Sequence, residues 1–453
     1  MSKDQLAVVV LAAGKGTRMK SARSKVLHSV AGRSLLGHVL DTAATINPDR
    51  LVVVIGPDME EVAAEAAPHE AVVQAEQRGT ADAVKAARQP LADVLSGTVF
   101  IVYGDTPFIE AETLNAMAAQ RAAGAGVVVL GFRPDDPAAY GRLITDNSSR
   151  LERIVEFREA NEVERAVTLC NSGVMAVDAS ILFRLVDAVD DDNAKNEFYL
   201  TDIVALARAD NIDCVVVEAE ADELQGINSR IDLAAAEAFW QQRRRLQVME
   251  EGVTLSDPAT VYFSYDTKFA EDVLIGPNVV FGPGVSVGRD AEIRAFCHLE
   301  GVIVGDSVTV GPFARLRPGV VLERGVKIGN FVEVKNAVLG AGAKASHLSY
   351  IGDAEVGANA NIGAGTITCN YDGYFKYKTT IGSGAFIGSN TALVAPVVVG
   401  DGAIVGAGSV ITDDVKRDAL AVGRGRQDDR EGWAAEFRTT QQTKKDQVAK
   451  GDD

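Results

Sequence analysis

From Ile275 onward, one large apolar residue returns at every sixth position: Ile275, Phe281, Val287, Ile293 and Leu299. After a one-residue slip the series resumes at Val304, Val310, Leu316, Leu322, Ile328 and Val334. It continues through Leu339, Ala345, Ile351, Val356 and Ile362, and closes with Ile381, Ile387, Leu393, Val399, Val405 and Ile411. Glycine often follows the apolar residue, as at Gly276, Gly305 and Gly388. A period of six matches neither the 3.6 of a helix nor the 2 of an ordinary strand. It is the hexapeptide repeat of a parallel β-helix, with short strands, tight corners and aliphatic side chains pointing inward. One gap interrupts it, Ala364–Thr379, containing Cys369-Asn370-Tyr371-Asp372-Gly373. This segment is expected to leave the coil as a loop, and loops on rigid scaffolds are where function concentrates.

The first half has another texture. Leu6–Ala13, Leu51–Ile55, Val99–Val102 and Val127–Phe132 read as buried strands, with helical patterns such as Ser34–Ala44 and Thr80–Pro90 between them. Such alternation predicts a mostly parallel sheet covered on both faces, a Rossmann-like α/β domain. The predicted domains are an α/β domain over 1–228, a linker helix over 229–251, the β-helix over 252–425 and a tail over 426–453. Ser229 and Asp232 suit the start of the linker helix. Its apolar stripe is read as Ile231, Ala235, Ala238, Phe239 and Leu246, with Arg243–Arg245 solvated. Residues 439–453 have almost no apolar content and are expected to be partly disordered.

The 453 residues carry a net charge of −18, which disfavours nucleic acid and anionic membranes as partners. A phosphate-bearing ligand must then be held by local donors. The four cysteines, Cys170, Cys214, Cys297 and Cys369, contain no Cys-x-x-Cys pair; reduced thiols and a cytoplasmic location are expected. No apolar run is long enough to span a membrane.

The first strand runs into Leu11-Ala12-Ala13-Gly14-Lys15-Gly16-Thr17-Arg18-Met19 and reaches Lys25. A strand ending in a glycine-rich turn exposes backbone N–H groups that suit phosphates. It is neither a Walker loop, which needs Gly-Lys-Ser/Thr after its four-residue gap, nor a dinucleotide fingerprint, because Met19 fills the third small position. Arg18 and Lys25 add cations. Tyr103-Gly104-Asp105 ends another strand, at the carboxyl edge where open α/β sheets bind ligands, and a carboxylate there can hold Mg²⁺ against phosphates.

These residues resemble the sugar-1-phosphate nucleotidyltransferases. The match extends through Gln74-Ala75-Glu76-Gln77, Gly79-Thr80, Tyr140-Gly141-Arg142, Ile154-Val155-Glu156, Asn171-Ser172-Gly173, Tyr199-Leu200-Thr201-Asp202 and Gly226-Ile227-Asn228. In order and spacing the whole chain is similar to the bifunctional bacterial UDP-N-acetylglucosamine pyrophosphorylase/glucosamine-1-phosphate N-acetyltransferase family. The resemblance implies a GT-A-like nucleotidyltransferase half and a left-handed β-helix. It implies acetyl transfer from acetyl-CoA to glucosamine-1-phosphate. It further implies Mg²⁺-dependent uridylyl transfer from UTP, supplying precursors of peptidoglycan and lipopolysaccharide. By that resemblance Leu11, Ala12, Ala13, Gly14, Gln74, Gly79 and Thr80 contact the uridine nucleotide, and Arg18 and Lys25 face its phosphates. Tyr103 and Gly104 belong to the same nucleotide site. Asp105 and Asn228 hold Mg²⁺, and Gly141, Glu156 and Asn171 bind the sugar. Two positions depart from the family: Arg78 stands where Leu is usual, and Asp82 where His is usual.

In the β-helix, Arg315, Arg317, Glu333, Lys335 and His347 precede the large insertion. The resemblance implies that His347 is the general base that takes a proton from the sugar amine, a task suited to a group titrating near neutrality. It places Glu333 as an orienting group, Arg317, Lys335, Tyr350 and Asn361 on the sugar phosphate, and Asn370 and Tyr371 in the acetyl-transfer site. Ala364, Ser389, Ala407 and Arg424 line the acetyl-CoA groove, and Lys376 and Lys378 are candidates for its phosphates. It also implies a homotrimer with acetyl-transfer sites shared between chains. Three rivals are weaker. An ADP-glucose or mannose-1-phosphate nucleotidyltransferase with a small regulatory β-helix predicts fewer repeats and no catalytic histidine, contrary to His347. A non-catalytic exchange-factor subunit predicts loss of Lys25, Asp105 and Asn228. A zinc hydratase needs about three histidine ligands, and only His298 and His347 lie in this domain.

Overall fold

The computed structural model describes residues 5–137, 140–146, 150–193 and 195–449. The chain divides into two units, 1–247 with 263–265, and 248–262 with 266–453.

The first unit is built on strands β1 (Gln5–Leu11), β2 (Arg50–Ile55), β3 (Glu70–Val73), β4 (Gly97–Tyr103), β5 (Val127–Phe132), β6 (Arg142–Thr145), β7 (Leu151–Val155), β8 (Cys170–Asp178) and β9 (Cys214–Glu218). The sheet order is β9-β5-β8-β4-β1-β2-β3, with the β6–β7 hairpin attached to β8. Every pairing along that path is parallel except those of β8. The central strands β1, β2, β4 and β5 are near-continuous apolar runs because both faces of the sheet are covered there, whereas the edge strand β3 and the β6–β7 hairpin are partly exposed. Val9, Val52, Ile101 and Val129 pack on one side with the helices Thr80–Ala86 and Ala179–Ala188. Val8, Val53, Phe100 and Val128 pack on the other with Leu35–Thr45 and Ala111–Ala122. The predicted strands and helices fall on these elements.

The helix Arg230–Glu250 forms as expected. Ser229 Oγ accepts from Asp232 N at 3.2 Å and Asp232 Oδ2 accepts from Ser229 N at 2.9 Å, a reciprocal cap. Its buried face differs from the stripe read above. Ile231 and Leu246 are exposed, whereas Ala236, Gln241, Arg245 and Val248 are buried. Polar residues hide this face from a hydrophobicity pattern, and Gln241 is satisfied there by Phe263, donating at 2.7 Å and accepting at 2.9 Å. Arg245 is therefore not solvated charge.

The second unit is a left-handed parallel β-helix of hexapeptide repeats, and all its strand ladders are parallel. Every residue of the six-period series is buried. A second inward position, two residues earlier, carries small or β-branched side chains such as Val279, Ala314, Val332 and Ala360, which are also buried. One turn of coil separates stacked residues, as in Lys327 to Lys344 to Asn361.

The insertion is shorter than expected. Ile367–Cys369 remains a coil strand, paired with Ala392–Val394. Thr368 takes the inward place at 1 % exposure, its hydroxyl accepting from Gly352 N at 2.8 Å. A polar residue at an apolar position concealed that repeat. Only Asn370–Lys378 leaves the coil, before strand Thr379–Ile381. The tail also differs from expectation: Trp433–Ala449 is a helix. Its alanine, glutamine and lysine are good helix formers, and the side chains of 433–448 are exposed. Residues 450–453 lie outside the described residues.

Candidate functional sites

The first unit has a cavity of about 610 Å³ at the carboxyl edge of its sheet. Leu11, Ala12, Ala13, Gly14, Lys25, Gln74, Gly79, Thr80, Tyr103, Asp105, Glu156 and Asn171 line it. The β1 turn is fixed by Gln77, whose Nε2 donates to Ala13 O at 2.5 Å. Gly104 N donates to Leu11 O at 3.0 Å, tying the ends of β1 and β4 together. Gly79 has φ +127°, and a Cβ there would lie 2.5 Å from Phe198 O, so glycine is required. Gly173, at φ +91°, sits in the irregular stretch of β8, and a Cβ on it would press 2.7 Å from the Tyr103 ring. That irregularity aims Asn171 at the cavity, and Asn171 N donates to Gly141 O at 2.9 Å.

Asp105 and Asn228 converge. Ile227 N donates to Asp105 O at 3.0 Å, bringing the Gly226-Ile227-Asn228 segment against the end of β4. Asn228 Nδ2 donates to Gly226 O at 3.2 Å, leaving Oδ1 free to accept from Lys25 Nζ at 3.1 Å. The same ammonium forms an ion pair with Asp105 Oδ2. Two oxygens thus meet at one point already held by a cation. Among the described residues no group of three acidic, histidine or cysteine side chains could hold a metal alone. Two oxygen donors completed by ligand phosphates and water suit a hard divalent cation.

Burial raises the Glu156 carboxyl above its usual range, with Lys195 opposing the rise. Burial, reinforced by the charges of Asp105 and Glu156, raises the Tyr103 phenol. Arg18 is exposed on the turn Thr17–Met19 and does not line the cavity. Lys195, Glu197, Tyr199 and Thr201 do line it. Only Tyr199 and Thr201 stood inside a recognised motif. The neighbouring Arg142 is structural: nearly buried, it donates to Pro137 O at 2.9 Å and holds the loop before Gly141.

In the β-helix, the backbone builds one corner column. Leu348 N donates to Asn330 O, Gly365 N to Leu348 O, Asn390 N to Ala364 O and Gly408 N to Ser389 O, all between 2.7 and 3.0 Å. Arg424 Nη1 donates to Ala407 O at 2.7 Å. His347, Ala364, Ser389, Ala407 and Arg424 therefore occupy one corner on successive turns. His347 is exposed, and its Nδ1 lies 2.7 Å from Asn330 Oδ1. An amide oxygen accepts, so Nδ1 carries the proton and Nε2 is left as a base. Asn330 was missed in the sequence because its relation to His347 is one turn of coil, not a local motif.

On the next face Glu333 pairs with Tyr350, and Glu333 Oε1 accepts from Arg317 Nη1 at 2.9 Å. Tyr350 lies across Gly352, where any Cβ would strike its hydroxyl. Asn361 stacks over Lys344, three residues before His347. Asp353 accepts from Asn336 Nδ2 at 2.6 Å and from Asn370, tethering the start of the 370–378 loop. These bonds hold the Asp353 carboxyl below its usual range despite some burial. Lys376 and Lys335 are neighbours across that loop, and their mutual repulsion lowers the Lys376 ammonium. Lys378 pairs with Glu355. Tyr371 is exposed and donates to its own loop at Gly373 O, 2.5 Å away, rather than to His347.

A sheet-edge nucleotide cavity in one unit and a hexapeptide coil in the other define a nucleotidyltransferase joined to a hexapeptide-repeat transferase. Family models agree: the MobA-like NTP transferase domain matches residues 8–168, and the bacterial transferase hexapeptide matches 266–301, 301–336 and 378–413. Among curated proteins, the chain is 56% identical over 447 residues to the bifunctional protein GlmU of Paramagnetospirillum magneticum, covering 98% of this chain and 99% of that protein. It is 59% identical over 434 residues to that of Rhodospirillum rubrum (95% and 97%), and 55% identical over 442 residues to that of Azorhizobium caulinodans (97% and 98%). The chain belongs to the GlmU family of bifunctional proteins. It is an enzyme with two activities, glucosamine-1-phosphate N-acetyltransferase and N-acetylglucosamine-1-phosphate uridylyltransferase.

Proposed function

We propose that each unit carries one activity with its own residues. In the first, Leu11–Gly14, Gln74, Gly79 and Thr80 hold UTP, Lys25 faces its phosphates from the cavity wall, Arg18 reaches them from the exposed turn outside the lining, and Tyr103 and Gly104 shape the wall. Gly141, Glu156 and Asn171 hold N-acetylglucosamine-1-phosphate. Asp105 and Asn228 would hold Mg²⁺, which when bound neutralises charge on the α-phosphate and the leaving pyrophosphate. The sugar phosphate is already an anion at neutral pH, so no general base is required, and the chain's contribution is in-line positioning. The observation that carries this reading is the meeting of Asp105 and Asn228 oxygens on Lys25 at the cavity.

In the second unit His347 Nε2 takes a proton from the glucosamine-1-phosphate ammonium, and the free amine attacks the thioester of acetyl-CoA. Arg317, Lys335, Tyr350 and Asn361 hold the sugar phosphate, with Glu333 orienting Arg317. Ala364, Ser389, Ala407 and Arg424 form the coenzyme groove along the corner column. Asn370, Tyr371, Lys376 and Lys378 serve from the loop. The protein works in the cytoplasm as a homotrimer in which Tyr371 serves a neighbouring chain's site. An exposed ladder of stacked rings supports self-association: Phe296, Phe313 and Phe331, with centroids 4.8 and 5.3 Å apart. No helix among the described residues is long and apolar enough to cross a membrane.

The test supplies purified protein with glucosamine-1-phosphate, acetyl-CoA, UTP and Mg²⁺, and follows CoA thiol and pyrophosphate separately. Asp105→Ala is expected to abolish pyrophosphate release and spare thiol release. His347→Ala is expected to slow thiol release by roughly 10²–10⁴-fold and spare uridylylation. Loss of both activities in either variant refutes the two-site reading.

A further inference from the structure

Arg78 and Asp82, beside the nucleotide loop, are partners. Asp82 Oδ1 accepts from Arg78 Nη2 at 3.3 Å, and Asp82 Oδ2 accepts from Arg78 N at 3.2 Å. The same Oδ2 accepts from Gln74 Nε2 at 2.9 Å. Arg78 lies over the Phe198 ring, 5.3 Å from its centroid. Gln74 Nε2 also donates to Gly79 O at 2.9 Å. Both hydrogens of the carboxamide are therefore taken by groups that only accept, a backbone carbonyl and a carboxylate. Turning the amide over would set its oxygen against those two acceptors, in a side chain only 5% exposed. That leaves Oε1 as the atom the amide can offer elsewhere. Among the described residues nothing donates to it, and it is not one of the sealed polar atoms without a partner. Gln74 lines the cavity, so Oε1 opens onto it.

We propose that Asp82 is a positioning residue that sets the polarity of Gln74, so that the cavity offers the base an acceptor oxygen and takes uracil in preference to cytosine. The proposal rests on the reading of this cavity as the UTP site. Uracil carries a hydrogen on N3 and donates it; cytosine has a lone pair there and repels an acceptor. A site built to bond a particular donor rejects an analogue lacking it far more strongly than shape alone can. With no acceptor at position 82, one amide hydrogen loses its partner and the carboxamide can rotate to suit either base.

The experiment compares full-length wild type, D82A and D82N for pyrophosphate release from N-acetylglucosamine-1-phosphate with UTP and with CTP, with CoA thiol release measured alongside. D82A is expected to raise KM for UTP about 10-fold, leave kcat within about 2-fold and cut the UTP-over-CTP ratio of kcat/KM by about 10-fold or more. D82N is expected to keep that ratio within about 3-fold, because its amide oxygen can accept from both Gln74 Nε2 and Arg78 N. An unchanged ratio in D82A overturns the proposal, as does an equal loss on both nucleotides or a D82N variant as indiscriminate as D82A. Failure of the wild type itself to use UTP overturns the reading of the cavity, and the proposal with it.

Discussion

Replacing Asn330 with alanine removes the one side chain that, among the described residues, bonds the His347 ring. The bond is 2.7 Å long, between His347 Nδ1 and Asn330 Oδ1 on adjacent turns. His347 is exposed, so water can take the lost place, and the bond is worth about 1 kcal/mol, or about fivefold in rate. A ring no longer held also samples its other neutral tautomer, in which Nε2 carries the proton and cannot act as base; that costs roughly another twofold. Asn330→Ala should therefore lower kcat for acetyl transfer about 10-fold. KM for acetyl-CoA should hold, because the column residues proposed for the coenzyme are untouched. Asn330→Asp keeps an acceptor oxygen in place and should restore kcat to within about 3-fold of wild type. Thiol release followed with a colorimetric reagent gives both constants, and uridylylation in the same preparation reports integrity. A kcat for Asn330→Ala within twofold of wild type, or a change confined to KM, refutes the assignment of Asn330 as the group that orients the base.

Other perturbations give separate expectations. Ile328→Ala empties a fully inward position of the coil and should cost about 2–5 kcal/mol, read as a lower midpoint of chemical denaturation in the second unit. Burial and the nearby Asp190 charge push the Asp202 carboxyl up to about 6, so its ionised form is disfavoured in the folded chain. A carboxyl raised on folding favours the fold at low pH and withdraws that support as pH rises through about 6. Asp202→Asn should thus raise the melting temperature relative to wild type at pH 8, with the difference shrinking below pH 4; a constant difference would count against it. Phe313→Ser interrupts the ring ladder and should reduce the assembly mass measured by light scattering if that stripe holds chains together.

The coil was legible because its inward positions are filled by large aliphatics at a period no other structure uses. It failed at Thr368, where a hydroxyl bonded to Gly352 takes an inward place and makes the insertion look longer than it is. The helix Arg230–Glu250 was legible in its cap and length but not in its buried side. Gln241 and Arg245 line that side, while Ile231 and Leu246 face outward. At the nucleotide cavity, glycine-rich turns and a strand-end aspartate point to ligands from sequence alone. Lys195 carried no such signal. Arg78 and Asp82 could be seen as departures, but only their geometry pairs them with each other and with Gln74. Asn330 was invisible for the same reason as the corner column: its neighbours lie a full turn away along the chain.

Because that column places one residue per turn, distance along the rod is counted in whole revolutions. Adding or removing one complete turn ahead of Asn330 would leave each later residue on its own corner, with the histidine still facing the groove. Losing a single hexapeptide would rotate everything downstream by a third of a circle and scatter the site over different faces. Length in this half of the molecule can therefore change in large steps at little chemical cost, whereas a small deletion is the damaging one.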